Sequence, residues 1–271
     1  VLWGKNIDEM LPMASTTKIM TALVAIENGR LDDIVVIPKA AQGVEGSSIY
    51  LEEGELLTLE ELLYGLMLRS GNDAATAIAY EIGMGSIERF VALMNGTARH
   101  IGAYNTNYEN PHGLHSDNHY TTAYDLARIA AYALKNDIFR EIVSTKYREI
   151  PWKGSQWNRV LKNSNKLLWN FEGANGVKTG FTRHAGRCLV SAAQRNDMQL
   201  VCVVLNCGPM FEESSSILEY GFEMYKSHDI VNSSDAIVSI PVDNGVVASI
   251  TLHPIESYKV ALTDYEYNNL N

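Results

Sequence analysis

Ser15 and Lys18 stand three residues apart at the head of an apolar helical run, and that pairing constrains this chain more than any other feature. At this spacing two side chains on a helix lie one above the other. The apolar positions that follow, Ile19, Met20, Leu23, Val24 and Ile26, would carry the segment into a core and Lys18 with it. Desolvation favours the neutral form of a buried lysine. A neutral amine within hydrogen-bond reach of a serine hydroxyl can take its proton and make it a nucleophile. Alone the tetrad is weak, because Ser-x-x-Lys arises by chance about once in a chain of this length and a serine at a helix start is ordinarily a cap.

With 271 residues, 46 % of them apolar and 20 % charged, the chain can close a large core and is expected to form one large domain with a small second one. A formal net charge of −10 and no cluster of lysines or arginines exclude a nucleic-acid partner and give no attraction to anionic lipid. No apolar run reaches the length of a bilayer span. The start Val1-Leu2-Trp3-Gly4 has neither an initiator Met nor a signal-peptide pattern, so the chain reads as processed or cut. Cys188, Cys202 and Cys207 are odd in number and none sits in a Cys-x-x-Cys spacing; they read as small buried hydrophobes rather than as a disulfide or metal pair.

In chain order, residues 1–5 read as the end of a strand and residues 6–12 as a loop. The Ser15 helix stops at Asn28-Gly29, with the glycine as a left-handed cap. Residues 31–55 read as short strands and loops. Thr58-Leu59-Glu60-Glu61 is a capping box opening a helix that ends at Arg69. Ser70-Gly71-Asn72 follows, and a helix with Asp73 in its first turn begins at once. Ser86 opens another, with Phe90, Val91, Leu93 and Met94 on its apolar face, and Thr122-x-x-Asp125 opens a fourth. A strand pair is expected within residues 146–157. Strands follow at 176–182, 188–193 and 200–205, the last two antiparallel neighbours across Arg195-Asn196-Asp197 and buried on both faces. A closing helix covers 211–225. Residues 237–242 and 246–252 flank Asp243-Asn244-Gly245, a hairpin signal, in a β module too short to hold much core. The fold class is α/β (α+β): an antiparallel sheet flanked by helices, an all-helical lobe beside it, and a small C-terminal β module. The boundaries are 1–228 for the main domain and 229–271 for the module.

Three polar clusters sit at element boundaries or on a strand: Ser15-x-x-Lys18, Ser70-Gly71-Asn72 and Lys178-Thr179-Gly180. Together they resemble the motif set of serine β-lactamases and penicillin-binding proteins. Residues 14–27, 46–55, 64–75, 110–114 and 176–192 further resemble the D-alanyl-D-alanine carboxypeptidases, low-molecular-mass penicillin-binding proteins of the bacterial cell wall. The likeness covers the chain to about Lys226. Gly71 departs from the Asp of the wider motif set, but glycine is what this carboxypeptidase branch carries.

The resemblance implies a β-lactamase/transpeptidase-like fold and a role for each matched residue. Ser15 would attack the carbonyl of a terminal D-Ala-D-Ala peptide bond with Lys18 as base, and water would later cleave the acyl-enzyme. Ser70 would pass a proton to the departing amine. Asn72 would offer an amide donor to the substrate backbone and a carbonyl to Lys18. Lys178 and Thr179 would hold the terminal carboxylate, Gly180 would let the substrate lie close along the strand, and the N–H groups of Ser15 and Phe181 would form the oxyanion hole. No cofactor or metal is implied. The implied partners are peptidoglycan stem peptides ending in D-Ala-D-Ala and β-lactam antibiotics. Membrane association would come only through segments absent from this chain, and the place of action would be extracytoplasmic, at the outer face of the cytoplasmic membrane.

His112, His115 and His119 cluster around Gly113 without a carboxylate at ligand spacing, and read as members of an irregular surface loop rather than as a metal site. His184 reads as a rim residue. Glu109 invites comparison with the deacylating glutamate of class A β-lactamases, but the following Asn110-Pro111-His112-Gly113-Leu114 matches the carboxypeptidases, so Glu109 is read as non-catalytic. A β-lactamase or esterase of the same fold and a catalytically silent wall-binding protein stand as the rival readings.

Overall fold

A computed structural model describes residues 1–270; residue 271, the last of the expected module, lies outside the described residues. Residues 14–17 form a short 3-10 helix that leads straight into α1 (Lys18–Asn28). Every α1 residue from Lys18 to Ala25 is buried. The reason is that α1 is wrapped by α2 (Leu59–Leu68), α3 (Asn72–Ile82), α4 (Ile87–Ile101), α5 (Ala123–Ala133) and α6 (Asp137–Ser144). One apolar cluster runs through these helices and on to Val177, Val190 and Ala192. A helix that is apolar all round belongs inside such a bundle.

Local signals set most of the helix starts. The Thr58 side chain accepts from the Glu61 N–H and the Glu61 carboxylate accepts from the Thr58 N–H, closing the capping box. Ser86 and Thr122 cap α4 and α5 in the same way through their hydroxyls. Leu93 is exposed, so the buried face of α4 is made by Phe90, Met94, Ala98 and Ile101.

Two expectations near the start are corrected. Residues 1–5 are not a strand: no strand pairs with them among the described residues, and the first ladder contact is the bridge Leu11–Thr121. Gly29 ends α1 in extended conformation, φ −119° and ψ 171°, not left-handed. Its glycine relieves crowding instead, since a β-carbon there would stand 2.5 Å from Leu59 Cδ2 and 2.8 Å from Ile82 Cδ1 and push both side-chain ends aside.

Residues 31–58 contribute β1 (Ile34–Val36) and β2 (Leu56–Thr58), an antiparallel pair. The expected pair at 146–157 is displaced along the chain. β3 (Tyr147–Ile150) pairs with β4 (Arg159–Lys162), and residues 151–158 are the connection, held because Arg159 donates to Pro151 O at 2.7 Å. After α7 (Leu167–Asn170) comes the sheet that carries the third motif, β5 (Ala174–Thr182), β6 (Gly186–Arg195) and β7 (Met198–Val204), in the order β5-β6-β7. β5 and β6 are antiparallel, with Lys178 opposite Val190 and Phe181 opposite Arg187. Continuous burial holds for the central strand, Cys188 to Ala193. It fails for β7, whose Val201 and Val203 are half-buried because it is an edge. β5 packs against the 3-10 helix, α6 and α7. That packing carries the third motif to the first.

α8 (Met210–Met224) follows, then β8 (Lys226–Val231), β9 (Val238–Pro241), β10 (Ser249–Leu252), β11 (Tyr258–Leu262) and α9 (Asp264–Asn268). The described residues divide into two compact units. The larger is Val1–Gln194 with Leu200–Leu218, and the smaller is Arg195–Gln199 with the residues from Glu219 onward. Within the smaller unit β8 pairs with β11 and β9 with β10. No residue from 226 to 270 is buried, and the unit carries exposed ion pairs such as Lys259–Asp197 and Lys226–Asp264. The β9–β10 connection is longer than a tight Asp-Asn-Gly turn and spans 242–248, with Asn244 left-handed at φ 59°.

Candidate active site

Lys18 is fully buried and its Nζ has three neighbours: Ser15 Oγ at 3.0 Å, Asn72 Oδ1 at 2.7 Å and the carbonyl oxygen of His112 at 2.6 Å. Two of these are acceptors only. A neutral amine has two hydrogens and one lone pair, so Asn72 and His112 can take the hydrogens and leave the lone pair for the Ser15 hydroxyl. The electrostatics favour that state. Burial lowers the Lys18 pKa well below its ordinary value, the charge of Lys178 lowers it further, and Asp73 opposes both.

Asn72 opens α3, and its position is fixed from the loop before it. Its backbone N–H donates to Ser47 O at 2.7 Å and its Nδ2 to Glu45 O at 2.5 Å. One N–H of the amide is thereby committed, which leaves the other for a bound molecule. Gly46 must be glycine: it is left-handed at φ 93°, and a β-carbon would stand 2.7 Å from Asn72 Nδ2. The same loop is held by Asp73. Its carboxylate accepts from Ser48 Oγ at 2.6 Å, Ile49 N at 3.0 Å and Leu51 N at 3.1 Å.

Ser70 occupies the link between α2 and α3 in left-handed conformation, φ 63°, which a serine rarely adopts. Its Oγ is buried without a hydrogen-bond partner among the described residues. Buried hydroxyls are nearly always paired, and a strained residue with an idle hydroxyl points to a functional group.

On β5, Lys178 is buried and its Nζ donates to Thr179 O at 2.9 Å; burial brings its pKa down to about 7. Thr179 is half-buried and the Phe181 ring is exposed. Gly180 faces the first motif. A β-carbon there would stand 3.1 Å from Ser15 N and 3.2 Å from Met13 O. Glycine at this position therefore accommodates the close approach of the Met13–Ser15 backbone.

The loop before α5 is irregular, as expected; His115 is exposed, but His112 and His119 are not at the surface. His112 and His119 are largely buried, and burial pushes their pKa values down to about 3 and about 4. His112 Nδ1 accepts from Leu114 N, while His119 is bonded through both ring nitrogens, to Glu109 N and Thr17 Oγ1. His115 stacks on His184 with centroids 3.9 Å apart. Glu109 is exposed and accepts from Ser116 Oγ.

Ser15, Lys18 and Asn72 thus form one hydrogen-bonded group, Gly180 abuts Ser15, and Lys178 acts on Lys18 through its charge. Sequence reasoning missed the His112 carbonyl, Asp73 as a loop anchor, and Thr17 with His119. The only available signal was the spacing of Thr17, the N-cap of α1, with Lys18 and Thr21 in its first turn, each facing the 111–119 loop.

Residues 1–208 match the profile of the D-alanyl-D-alanine carboxypeptidases. The chain belongs to that family. The carboxypeptidase DacF of Bacillus subtilis is 34% identical over 268 residues, which are 96% of this chain and 68% of DacF. Among solved structures, a Streptomyces DD-transpeptidase superposes with a TM-score of 0.77 at 38% identity, covering 82% of this chain and 92% of its own. The carboxypeptidase DacD of Francisella tularensis gives 0.81 at 28% identity over 97% of this chain and 78% of its own. The fold is that of the DD-peptidases, and the carboxypeptidase family is one of serine hydrolases.

Proposed function

We propose that this chain removes the terminal D-alanine from peptidoglycan peptides through an acyl-enzyme on Ser15. The observation that supports this most directly is the surrounding of Lys18 Nζ, where two acceptors take the amine hydrogens and the third neighbour is the Ser15 hydroxyl. Lys18 takes the Ser15 proton as Oγ bonds to the carbonyl carbon of the penultimate D-alanine. The N–H groups of Ser15 and Phe181 stabilise the oxyanion. The C–N bond then breaks, and the leaving amine of the terminal D-alanine takes a proton by way of Ser70. Water cleaves the ester, releasing the shortened peptide as a carboxylate and restoring Ser15.

Substrate is held by groups around that centre. The free amide hydrogen of Asn72 donates to the peptide backbone. Lys178 and the Thr179 hydroxyl receive the terminal carboxylate, and Gly180 keeps the strand close to Ser15. β-Lactams enter by the same acylation. All of these residues fall within 1–228, and the module 229–271 is read as carrying no catalytic group. With a net charge of −10, nucleic acid is not read as a partner. Peptidoglycan peptides place the action outside the cytoplasm, and we assign it to the outer face of the cytoplasmic membrane.

The test is Ser15→Ala. The variant should fold, take no label from a fluorescent penicillin and release no D-alanine from a peptide ending in D-Ala-D-Ala. A penicilloyl mass shift retained in the variant would place the nucleophile elsewhere.

A further inference from the structure

Three side chains on one turn of the nucleophile's helix grip the loop that precedes α5. Thr21 Oγ1 donates to Pro111 O at 2.5 Å, Lys18 Nζ to His112 O at 2.6 Å, and Thr17 Oγ1 lies 2.8 Å from His119 Nε2. The first two end on carbonyls. The third leads back to the site.

The direction of that third contact follows from its neighbours. His119 Nδ1 accepts from the Glu109 N–H at 3.0 Å, so it carries no proton, and the proton of the neutral ring is on Nε2. Nε2–H therefore donates to Thr17 Oγ1. The Thr17 hydroxyl in turn donates to Ala14 O at 2.8 Å. Every residue from Thr17 to His119 in this relay is buried, and burial holds the His119 pKa near about 4, which keeps the ring neutral at neutral pH.

The relay ends on the Ala14–Ser15 peptide. A peptide unit is planar and trans, so fixing the Ala14 carbonyl fixes the opposite direction of the Ser15 N–H. That N–H belongs to the first turn, whose donors have no intrahelical acceptor. Ala14 needs holding, because it is left-handed at φ 48°. A second restraint is Gly113, where a β-carbon would stand 2.8 Å from Thr17 Oγ1 and collide with the Ala14 carbonyl.

We propose that His119 is a positioning residue for acylation, acting through Thr17 to fix the plane of the Ala14–Ser15 peptide and so to aim the Ser15 N–H at the oxyanion. The inference rests on the reading of Ser15 as the acylated residue and of its N–H as an oxyanion donor. His119 also packs edge-on against Tyr108, with centroids 5.8 Å apart. The test has to separate donation from packing.

The experiment compares His119→Leu, Thr17→Val, the double variant and Thr17→Ser in the full chain. It measures the acylation rate constant and the pre-covalent dissociation constant with a penicillin, together with melting temperature. Loss of a single oxyanion donor costs on the order of 100-fold or more in rate, and a misaimed one should cost roughly 10- to 100-fold. His119→Leu and Thr17→Val should each slow acylation in that range, with pre-covalent binding nearly unchanged. The double variant should be no slower than the slower single one, because both cut one relay. Thr17→Ser, which keeps the hydroxyl, should acylate at the wild-type rate. Nitrogen NMR of the wild type should show the Nε2–H tautomer. Additive losses, an unchanged rate in His119→Leu, or an Nδ1–H ring would overturn the proposal. If His119→Leu fails to fold, Thr17→Val against Thr17→Ser decides: equal rates overturn it. Absence of label on Ser15 in the wild type would instead overturn the reading beneath it.

Discussion

The α-carbon of Gly180 and the backbone nitrogen of Ser15 are packed so closely that a β-carbon at 180 would stand 3.1 Å from that nitrogen. The other atoms it would meet are Ala14 Cβ and Met13 O, both at 3.2 Å, so little around it can yield without moving the segment that carries Ser15. Strand β5 and the Ser15 turn therefore share one boundary.

Gly180→Ala should move that boundary by a few tenths of an ångström. Overpacking of this kind costs about 1–3 kcal/mol of stability. Because small displacements of reacting groups carry large rate penalties, acylation should slow about tenfold. Penicillin acylation kinetics beside a urea melt check both effects. Unaltered kinetics would show that the two backbones are not coupled in catalysis.

The two buried lysines make opposite demands on pH. In the proposed mechanism Lys18 works as the neutral amine. Its pKa is depressed, first by burial and then by the charge of Lys178, so acylation should fall as acid protonates it. In the same proposal Lys178 works as the cation, and burial brings its pKa to about 7. Above that value it loses the charge that receives a carboxylate. For the free enzyme, kcat/KM on a D-Ala-D-Ala peptide should decline as pH rises through about 7, while an analogue with its terminal carboxylate amidated should not show that limb. Identical alkaline limbs for the two substrates would remove Lys178 from carboxylate binding.

Arg159 and Glu55 form a buried two-bond ion pair, with contacts at 2.5 and 2.8 Å, and Arg159 also donates to Tyr50 O at 3.0 Å. The pair anchors the same loop that presents Glu45 O and Ser47 O to Asn72. Burial alone would raise the Glu55 pKa; Arg159, together with the N–H groups of Glu52 and Lys153, outweighs it and holds the carboxyl below its usual range. A folded-state pKa below the unfolded one adds stability at neutral pH that is lost as pH falls through the carboxylate range. Removing the arginine leaves burial opposed only by the two 3.3 Å N–H contacts from Glu52 and Lys153, and the sign is expected to reverse. Arg159→Met should cost about 3–5 kcal/mol at neutral pH and recover part of it on mild acidification, as Glu55 takes up a proton. Thermal melts from neutral to mildly acidic pH give the slopes, and parallel slopes for wild type and variant would contradict the assignment.

What the sequence disclosed and what it hid divide by distance along the chain. Thr58 and Glu61 are three residues apart, and their capping box was legible because nothing else is needed to form it. Ser15 and Lys18 were legible for the same reason, and Asn72 and Lys178 only through a motif set already associated with one chemistry. Gly29 was misread because its neighbours, Leu59 and Ile82, come from other helices. Residues 1–5 have strand composition but form no strand. α6 escaped notice because Phe139, Ile142 and Val143 make only a two-turn apolar pattern, and its burial depends on packing against α1, α2 and β5. His119 was placed at the surface because its partner Thr17 lies 102 residues away, and no local pattern reports a contact of that kind.

The fate of the acyl-enzyme distinguishes a carboxypeptidase from a β-lactamase on this fold. Fast hydrolysis of a penicilloyl ester needs a base that drives water onto it from the open face of the site. Glu109 is exposed and engaged with Ser116 Oγ, and the loop after it meets Lys18 only through the His112 carbonyl. In the proposed mechanism deacylation is left to Lys18, whose Nζ lies on the Ser15 side. With a peptide substrate the freed D-alanine departs and water takes its place. An opened penicillin keeps its leaving group tethered where that water must stand. The penicilloyl enzyme should consequently outlast a peptide turnover by orders of magnitude. Intact-protein mass spectrometry after a short penicillin pulse, run beside D-alanine release, measures both lifetimes. Rapid return to the unmodified mass, with hydrolysed penicillin accumulating and no D-alanine released, would make this chain a β-lactamase in action whatever its family.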